Sequence, residues 1–243
     1  MWGDQAQPIE VVGLDGDDTL WRCEDLFQEA QAQFRALLTD FADDALVDET
    51  LSRVERGNLA LFGYGIKGFA LSAVETAARL AGPELHARLV EQILDLARGM
   101  LSAPVELLPG AGEAVWALRD LGHRVVLVTK GDLLDQERKL QKSGLADAFD
   151  HVEIISEKSV AKYAELLRVL DCPPERFLMV GNSVRSDIVP VIELGARAVH
   201  VPYHLVWDHE HVGSWDGHDN VVEIANLSEL PALLSSTAAT QGT

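Results

Sequence analysis

Basic residues are scarce in this chain. Its 243 residues include 20 lysines and arginines against 39 aspartates and glutamates, a formal net charge of -19. That balance argues against nucleic acid or an anionic membrane as partner, because either would need a positive face to displace counterions. Long apolar runs are also missing: none approaches the ~20 residues of a membrane-spanning helix. The opening MWGDQAQPIE has neither the charged nor the apolar stretch of a secretion signal. These absences lead us to expect a soluble cytoplasmic protein with no nucleic acid or membrane as partner. Cysteine is nearly absent, and Cys23 and Cys172 make neither a disulfide framework nor a metal-ligand spacing. What is present is ordinary globular usage, 47% hydrophobic and 24% charged, enough for a sizeable core.

Apolar runs of strand length recur at Ile9 to Leu14, Arg124 to Thr129, His151 to Ile155, Phe177 to Gly181 and Ala196 to Val201; after Val201 the chain is loop-like before Val221 to Ile224 and a short helix containing Leu227 to Leu234. Helix-period stretches lie between most of them, at Ala111 to Leu121, Asp132 to Ser143, Ser159 to Leu170 and Val184 to Leu194. Alternation of this kind predicts an α/β fold, a Rossmann-like parallel sheet covered on both faces, with its site beyond the carboxyl ends of the strands. One interval breaks the alternation. Between about Arg22 and Glu106 only helical patterns occur, such as Glu24 to Leu38, Gly68 to Leu80 and Glu84 to Met100. The expected organisation is a core of residues 1–21 and 107–243 with an all-helical insertion at 22–106.

The first strand runs into Asp15-Gly16-Asp17-Asp18-Thr19-Leu20, three carboxylates in four residues. Carboxylates so close repel unless a cation or proton intervenes, so a divalent metal is the economical explanation. A calcium loop of the helix-loop-helix kind needs glycine at its sixth position and glutamate at its twelfth; counting from Asp15 gives Leu20 and Leu26, and the loop fails.

Asp15-x-Asp17-x-Thr19-Leu20 after a hydrophobic strand resembles the first motif of the haloacid dehalogenase superfamily. Three further motifs follow in order. Val125 to Val128 ending in Thr129 resembles the second, Lys158 resembles the motif lysine, and the run Gly181-Asn182-Ser183-Val184-Arg185-Ser186-Asp187 resembles the fourth. The resemblance covers Ile9 to about Tyr203 and is to the phosphatase branch with a helical cap inserted after the first motif. It implies a magnesium-dependent phosphomonoester hydrolase that acts on a small phosphorylated metabolite through an aspartyl-phosphate. By that resemblance Asp15 is the nucleophile and Asp17 the general acid and base. By the same resemblance Thr129 and Lys158 would form the cradle for the phosphoryl group; Lys130, and Lys67 in a loop able to reach an anionic substrate, are further substrate-binding candidates. Asp15, Asp17, Asp187 and Asn182 form the metal set. Two positions depart from the family pattern: Asp18 stands where glycine is usual, and Asn182 where a carboxylate is usual. Lys162, one helical turn after Lys158, is the rival for the lysine role.

Two other readings stay open. A 2-haloacid dehalogenase uses the same nucleophile on carbon without the second acid or magnesium, and a low-activity metal- or phosphate-binding protein of the same fold is kept open by Asn182. Gly63-Tyr64-Gly65-Ile66-Lys67-Gly68 matches a dinucleotide fingerprint as a string, but no strand precedes it; it reads as a hinge or substrate loop. Gly181-Asn182-Ser183-Val184-Arg185 lacks the second glycine of a serine-hydrolase elbow, and His209-Glu210-His211 reads as a polar loop. An apolar side on the inserted helices allows either a monomer or a homodimer.

Overall fold

The computed structural model describes residues 7–207, 210 and 217–239. The chain divides into two compact units, one of residues 1–24, 105–130 and 139–243, the other of residues 25–104 and 131–138.

The first unit is built on six parallel strands in the order β3-β2-β1-β4-β5-β6: β1 (Val11–Leu14), β2 (Arg124–Lys130), β3 (His151–Ile155), β4 (Phe177–Gly181), β5 (Arg197–His200) and β6 (Val221–Glu223). Both faces of the central strands are covered, which is why they read as continuous apolar runs instead of alternating ones. Val12, Leu14, Val125 and Leu127 pack to one side with helix α5 (Ala111–Asp120). Val11, Val126, Val128 and Met179 pack to the other with Tyr163 and Leu167 of α7 (Val160–Val169). Residues β1 and β2 align Leu14 with Leu127, and β1 and β4 align Leu14 with Val180. The carboxyl ends of β2 and β4 therefore flank that of β1, the point where connections leave a sheet of this kind in opposite directions and where such folds bind ligands.

The second unit contains the helices α1 (Glu24–Leu37, from its second residue), α2 (Asp44–Phe62), α3 (Ile66–Ala81) and α4 (Ala87–Ser102). Its core joins Phe34, Leu38, Val47, Leu51, Phe69, Ala73, Ala77, Leu89 and Ile93, and Phe27 meets Phe69 edge to face with ring centroids 5.7 Å apart. The helix the sequence patterns did not single out is α2. Only Val47, Thr50, Leu51 and Val54 of its 19 residues are buried, so its apolar stripe is thin. Its start is instead fixed by Asp43, whose side chain accepts the Leu46 N–H at 2.9 Å. Segment 131–138, which begins helix α6 (Leu133–Ser143), also belongs to this second unit. Among the described residues no helix is long and apolar enough to cross a membrane.

Candidate active site

The ends of β1, β2 and β4 and the turn before α7 bring together Asp15, Thr129, Lys158 and Asp187. The Asp15 N–H continues the sheet ladder to the Val180 carbonyl at 2.9 Å, which fixes where its side chain leaves the strand. Lys158 Nζ then lies 2.5 Å from Asp15 Oδ1 and 2.6 Å from Asp187 Oδ1, and all three side chains are buried. The other Asp15 oxygen, Oδ2, accepts the Thr19 hydroxyl at 3.1 Å. Burial pushes the Asp15 carboxyl above the usual carboxylate range, with Lys158 pulling the other way. Burial would lower Lys158, but Asp15 and Asp187 outweigh it and hold the ammonium charged. Lys162, by contrast, is exposed and pairs with Glu165 at 3.0 Å.

Asp187 sits in a turn of π-helical geometry, Val184–Ile188. Its Oδ2 accepts the Ser183 N–H at 3.0 Å. It also lies against Gly181: a Cβ built there would be 2.2 Å from Asp187 Oδ2, so only glycine lets the carboxylate pack against the strand end. Asn182 donates its N–H to Thr19 Oγ1 at 3.0 Å, and its carbonyl lies 3.1 Å from His200 Nε2.

Two neighbours of Asp15 have separate partners. Asp17 is bound through both oxygens by Lys139 Nζ, at 2.8 and 2.9 Å, and through Oδ1 by Trp21 Nε1 at 2.7 Å. Asp18 has a left-handed φ of 58°, a conformation easy for glycine and tolerated by aspartate. Its carboxylate accepts the N–H groups of Cys23, at 2.8 Å, and Glu24, at 3.0 Å, capping the first turn of α1. Burial pushes Asp18 up to about 7, partly opposed by the Glu24 N–H and reinforced by Asp17.

Thr129 is 1% exposed, and its hydroxyl has no hydrogen-bond partner among the described residues. A Cβ placed on Gly16 would meet that hydroxyl at 3.2 Å, so it faces the acidic turn. Helix α6 is capped without it, since Asp132 Oδ1 accepts the Asp135 N–H at 3.0 Å. Lys130 donates to Ser186 Oγ at 3.0 Å and is ion-paired with Glu210. Lys67 lies in the second unit, half exposed, with Asp132 Oδ1 and Oδ2 at 2.8 and 3.0 Å. Lys139, Trp21 and Glu210 are the site residues that sequence reasoning did not supply. Glu210 was visible only as the middle of a polar string, whose flanking His209 and His211 lie outside the described residues.

The profile of haloacid dehalogenase-like hydrolases matches residues 9–195. The chain belongs to that family. It is therefore a hydrolase. A glyceraldehyde 3-phosphate phosphatase of Methanothermobacter thermautotrophicus is 30% identical over 156 residues, 59% of this chain and 68% of that protein. A second protein of that name, from Methanopyrus kandleri, is 26% identical over 74% of this chain and 78% of its own length. The crystal structure of a haloacid dehalogenase-like family hydrolase from Xanthomonas campestris is 41% identical and superposes with a TM-score of 0.86, covering 98% of this chain and 95% of that one.

Among the described residues no three His, Cys, Asp or Glu side chains converge as a metal cage. The buried carboxylates of Asp15 and Asp187 nevertheless outnumber the single ammonium between them. Two carboxylates completed by carbonyl and water oxygens form the donor set magnesium accepts, because it keeps much of its hydration shell. The residues fit that ion.

Proposed function

We propose that this chain is a magnesium-dependent phosphomonoester hydrolase acting on a small phosphorylated metabolite, with Asp15 as the nucleophile. The observation that carries the reading is the pairing of a buried, cation-held Asp15 with a Thr129 hydroxyl that has no partner among the described residues and faces the same turn. A buried hydroxyl without a partner costs free energy unless something accepts its proton, and a phosphoryl oxygen supplies that acceptor.

In this mechanism an Asp15 oxygen attacks phosphorus, and the P–O bond to the leaving alcohol breaks as Asp17, entering the step in its protonated form, delivers a proton to that oxygen and becomes the carboxylate that Lys139 holds. The product is an acyl phosphate on Asp15 and a neutral alcohol. Water then attacks phosphorus, Asp17 takes its proton, and inorganic phosphate leaves with Asp15 regenerated. Lys158 and Thr129 offset charge on the phosphoryl oxygens throughout. Magnesium, which Asp15, Asp187 and the Asp17 carbonyl would hold, with Asn182 close by, supplies charge neutralisation between nucleophile and phosphate. A 2-haloacid dehalogenase needs neither a second acid nor the metal set, so the presence of Asp17 and Asp187 favours phosphoryl chemistry.

The names of the relatives support small phosphorylated aldehydes and sugars as the first substrates to try. The test is inorganic phosphate release from p-nitrophenyl phosphate, glyceraldehyde 3-phosphate and a panel of other phosphorylated metabolites, with magnesium and then with chelator. Turnover that requires the metal and disappears in Asp15→Asn is expected. Undiminished turnover by that variant would remove Asp15 from the nucleophile role.

A further inference from the structure

Glu210 is remote in sequence from every motif, yet its carboxylate is held by three groups of the site at once. It accepts from Lys130 Nζ and the Ser183 hydroxyl, and from the Ser186 hydroxyl at 2.6 Å. The side chain is only 12% exposed. Burial alone would raise its carboxyl, but Lys130 and the two seryl hydroxyls overcome that and bring it down to about 2.

Proton accounting explains why a carboxylate stands there. The Ser183 hydroxyl oxygen already accepts the Ser186 N–H at 3.0 Å, and the Ser186 hydroxyl oxygen accepts Lys130 Nζ at 3.0 Å. Each hydroxyl is left with one proton to donate, and Lys130 has a second N–H directed the same way. Three converging donors require a group with only lone pairs, and a carboxylate is the protein side chain that offers nothing else. The two serines belong to the turn that carries Asp187: the Ser183 N–H donates to Asp187 Oδ2 at 3.0 Å, and the Ser183 carbonyl accepts the Asp187 N–H at 2.8 Å. Lys130 directly follows Thr129 at the end of β2.

We propose that Lys130, Ser183 and Ser186 form a carboxylate seat whose built-in occupant, Glu210, is a positioning residue for Asp187 and for the end of β2. Its effect on turnover rests on the phosphatase reading above, but the seat itself does not. Removing the side chain leaves three donors, two of them on buried serines, facing the space of one carboxylate, so a small carboxylate from solution should enter it. Outer-sphere partners of this kind are worth about tenfold or more in metal affinity or activity.

The experiment uses the full-length chain as wild type, Glu210→Ala, Glu210→Gln and the double variant Glu210→Ala/Lys130→Met. Thermal unfolding is followed against sodium formate, with sodium chloride at equal ionic strength as the control. Formate is expected to raise the melting temperature of Glu210→Ala saturably, leaving the wild type and the double variant at their chloride values. In phosphate release, Glu210→Ala is expected to need about tenfold more magnesium for half-maximal rate, with formate restoring part of the loss. If Glu210→Ala does not fold, Glu210→Gln decides. Its amide N–H group faces donors, so it should show the same raised magnesium requirement without formate rescue. A formate effect no larger than that of chloride in Glu210→Ala, or a wild-type magnesium requirement in Glu210→Gln, overturns the proposal. A wild type inactive on every phosphate ester defeats the phosphatase reading alone, and the formate-dependent melting shift still decides the seat.

Discussion

Lys139 grips both carboxylate oxygens of Asp17, at 2.8 and 2.9 Å, while the Trp21 indole N–H adds a third bond at 2.7 Å. A carboxylate held so closely has a fixed direction, and direction matters most for a group that must deliver a proton to one leaving oxygen. Alkyl phosphates need that proton, whereas p-nitrophenolate leaves nearly unaided. Asp17→Asn should lose about a hundredfold or more on alkyl phosphates and much less on p-nitrophenyl phosphate. Lys139→Ala should show the same selectivity with a smaller loss. Equal losses on both substrates, measured as kcat/KM, would remove acid catalysis from Asp17.

Lys158 is buried between Asp15 and Asp187. Lys158→Met would leave two carboxylates buried without their cation, a change that costs about 3–5 kcal/mol. Urea denaturation in the absence of metal should show that loss, and magnesium should recover part of it. A variant of wild-type stability would mean that the carboxylates are not dependent on the lysine.

Thr129 separates function from stability. Its hydroxyl is buried without a partner among the described residues, and valine has almost the same shape, so Thr129→Val should unfold at the same urea concentration as wild type or slightly higher. Turnover should nevertheless fall by about a hundredfold if the hydroxyl serves the transferring phosphoryl group. Unchanged kcat and KM would assign the residue to packing alone.

Asp18 gives the molecule a dependence on pH. Its carboxyl is raised from 3.8 to about 7 in the folded chain, so between those values the folded state binds a proton that the unfolded state has released. Stability attached to this group is therefore complete at the acid end and is lost as pH rises toward 7. Asp18→Asn keeps an oxygen to accept the Cys23 and Glu24 N–H groups without ionising. Its stability relative to wild type should improve from about pH 5.5 to about pH 8.5. Urea midpoints at the two pH values check this, and a constant difference would count against it.

Much of the architecture can be read along the chain because it depends on local pattern. Val125 to Val128 are apolar without a break because both faces of β2 are covered, and the polar residues at the ends of β1, β2 and β4 stand out against such runs. Helix α2 is hard to read in the sequence because only four of its residues are buried. The contacts of Lys139 and Glu210 are hard to read for a different reason. Lys139 meets Asp17 across 122 positions, and Glu210 meets Lys130 across 80. No spacing rule ties either residue to its partner, so only the fold makes the pairing visible. Asp18, a departure from the family's usual glycine, becomes intelligible once its positive φ and its N–H partners are known.

The two oxygens of Asp15 are chemically distinct. Oδ1 rests on an ammonium and Oδ2 on a hydroxyl, whereas in water rotation about the Cβ–Cγ bond would make them interchangeable. Held at both ends, the carboxylate has a handedness of its own: an electrophile approaching it meets one particular lone pair at one particular angle. Stereochemical discrimination can thus begin at the strand end itself, before any part of a ligand beyond its reacting centre has been recognised.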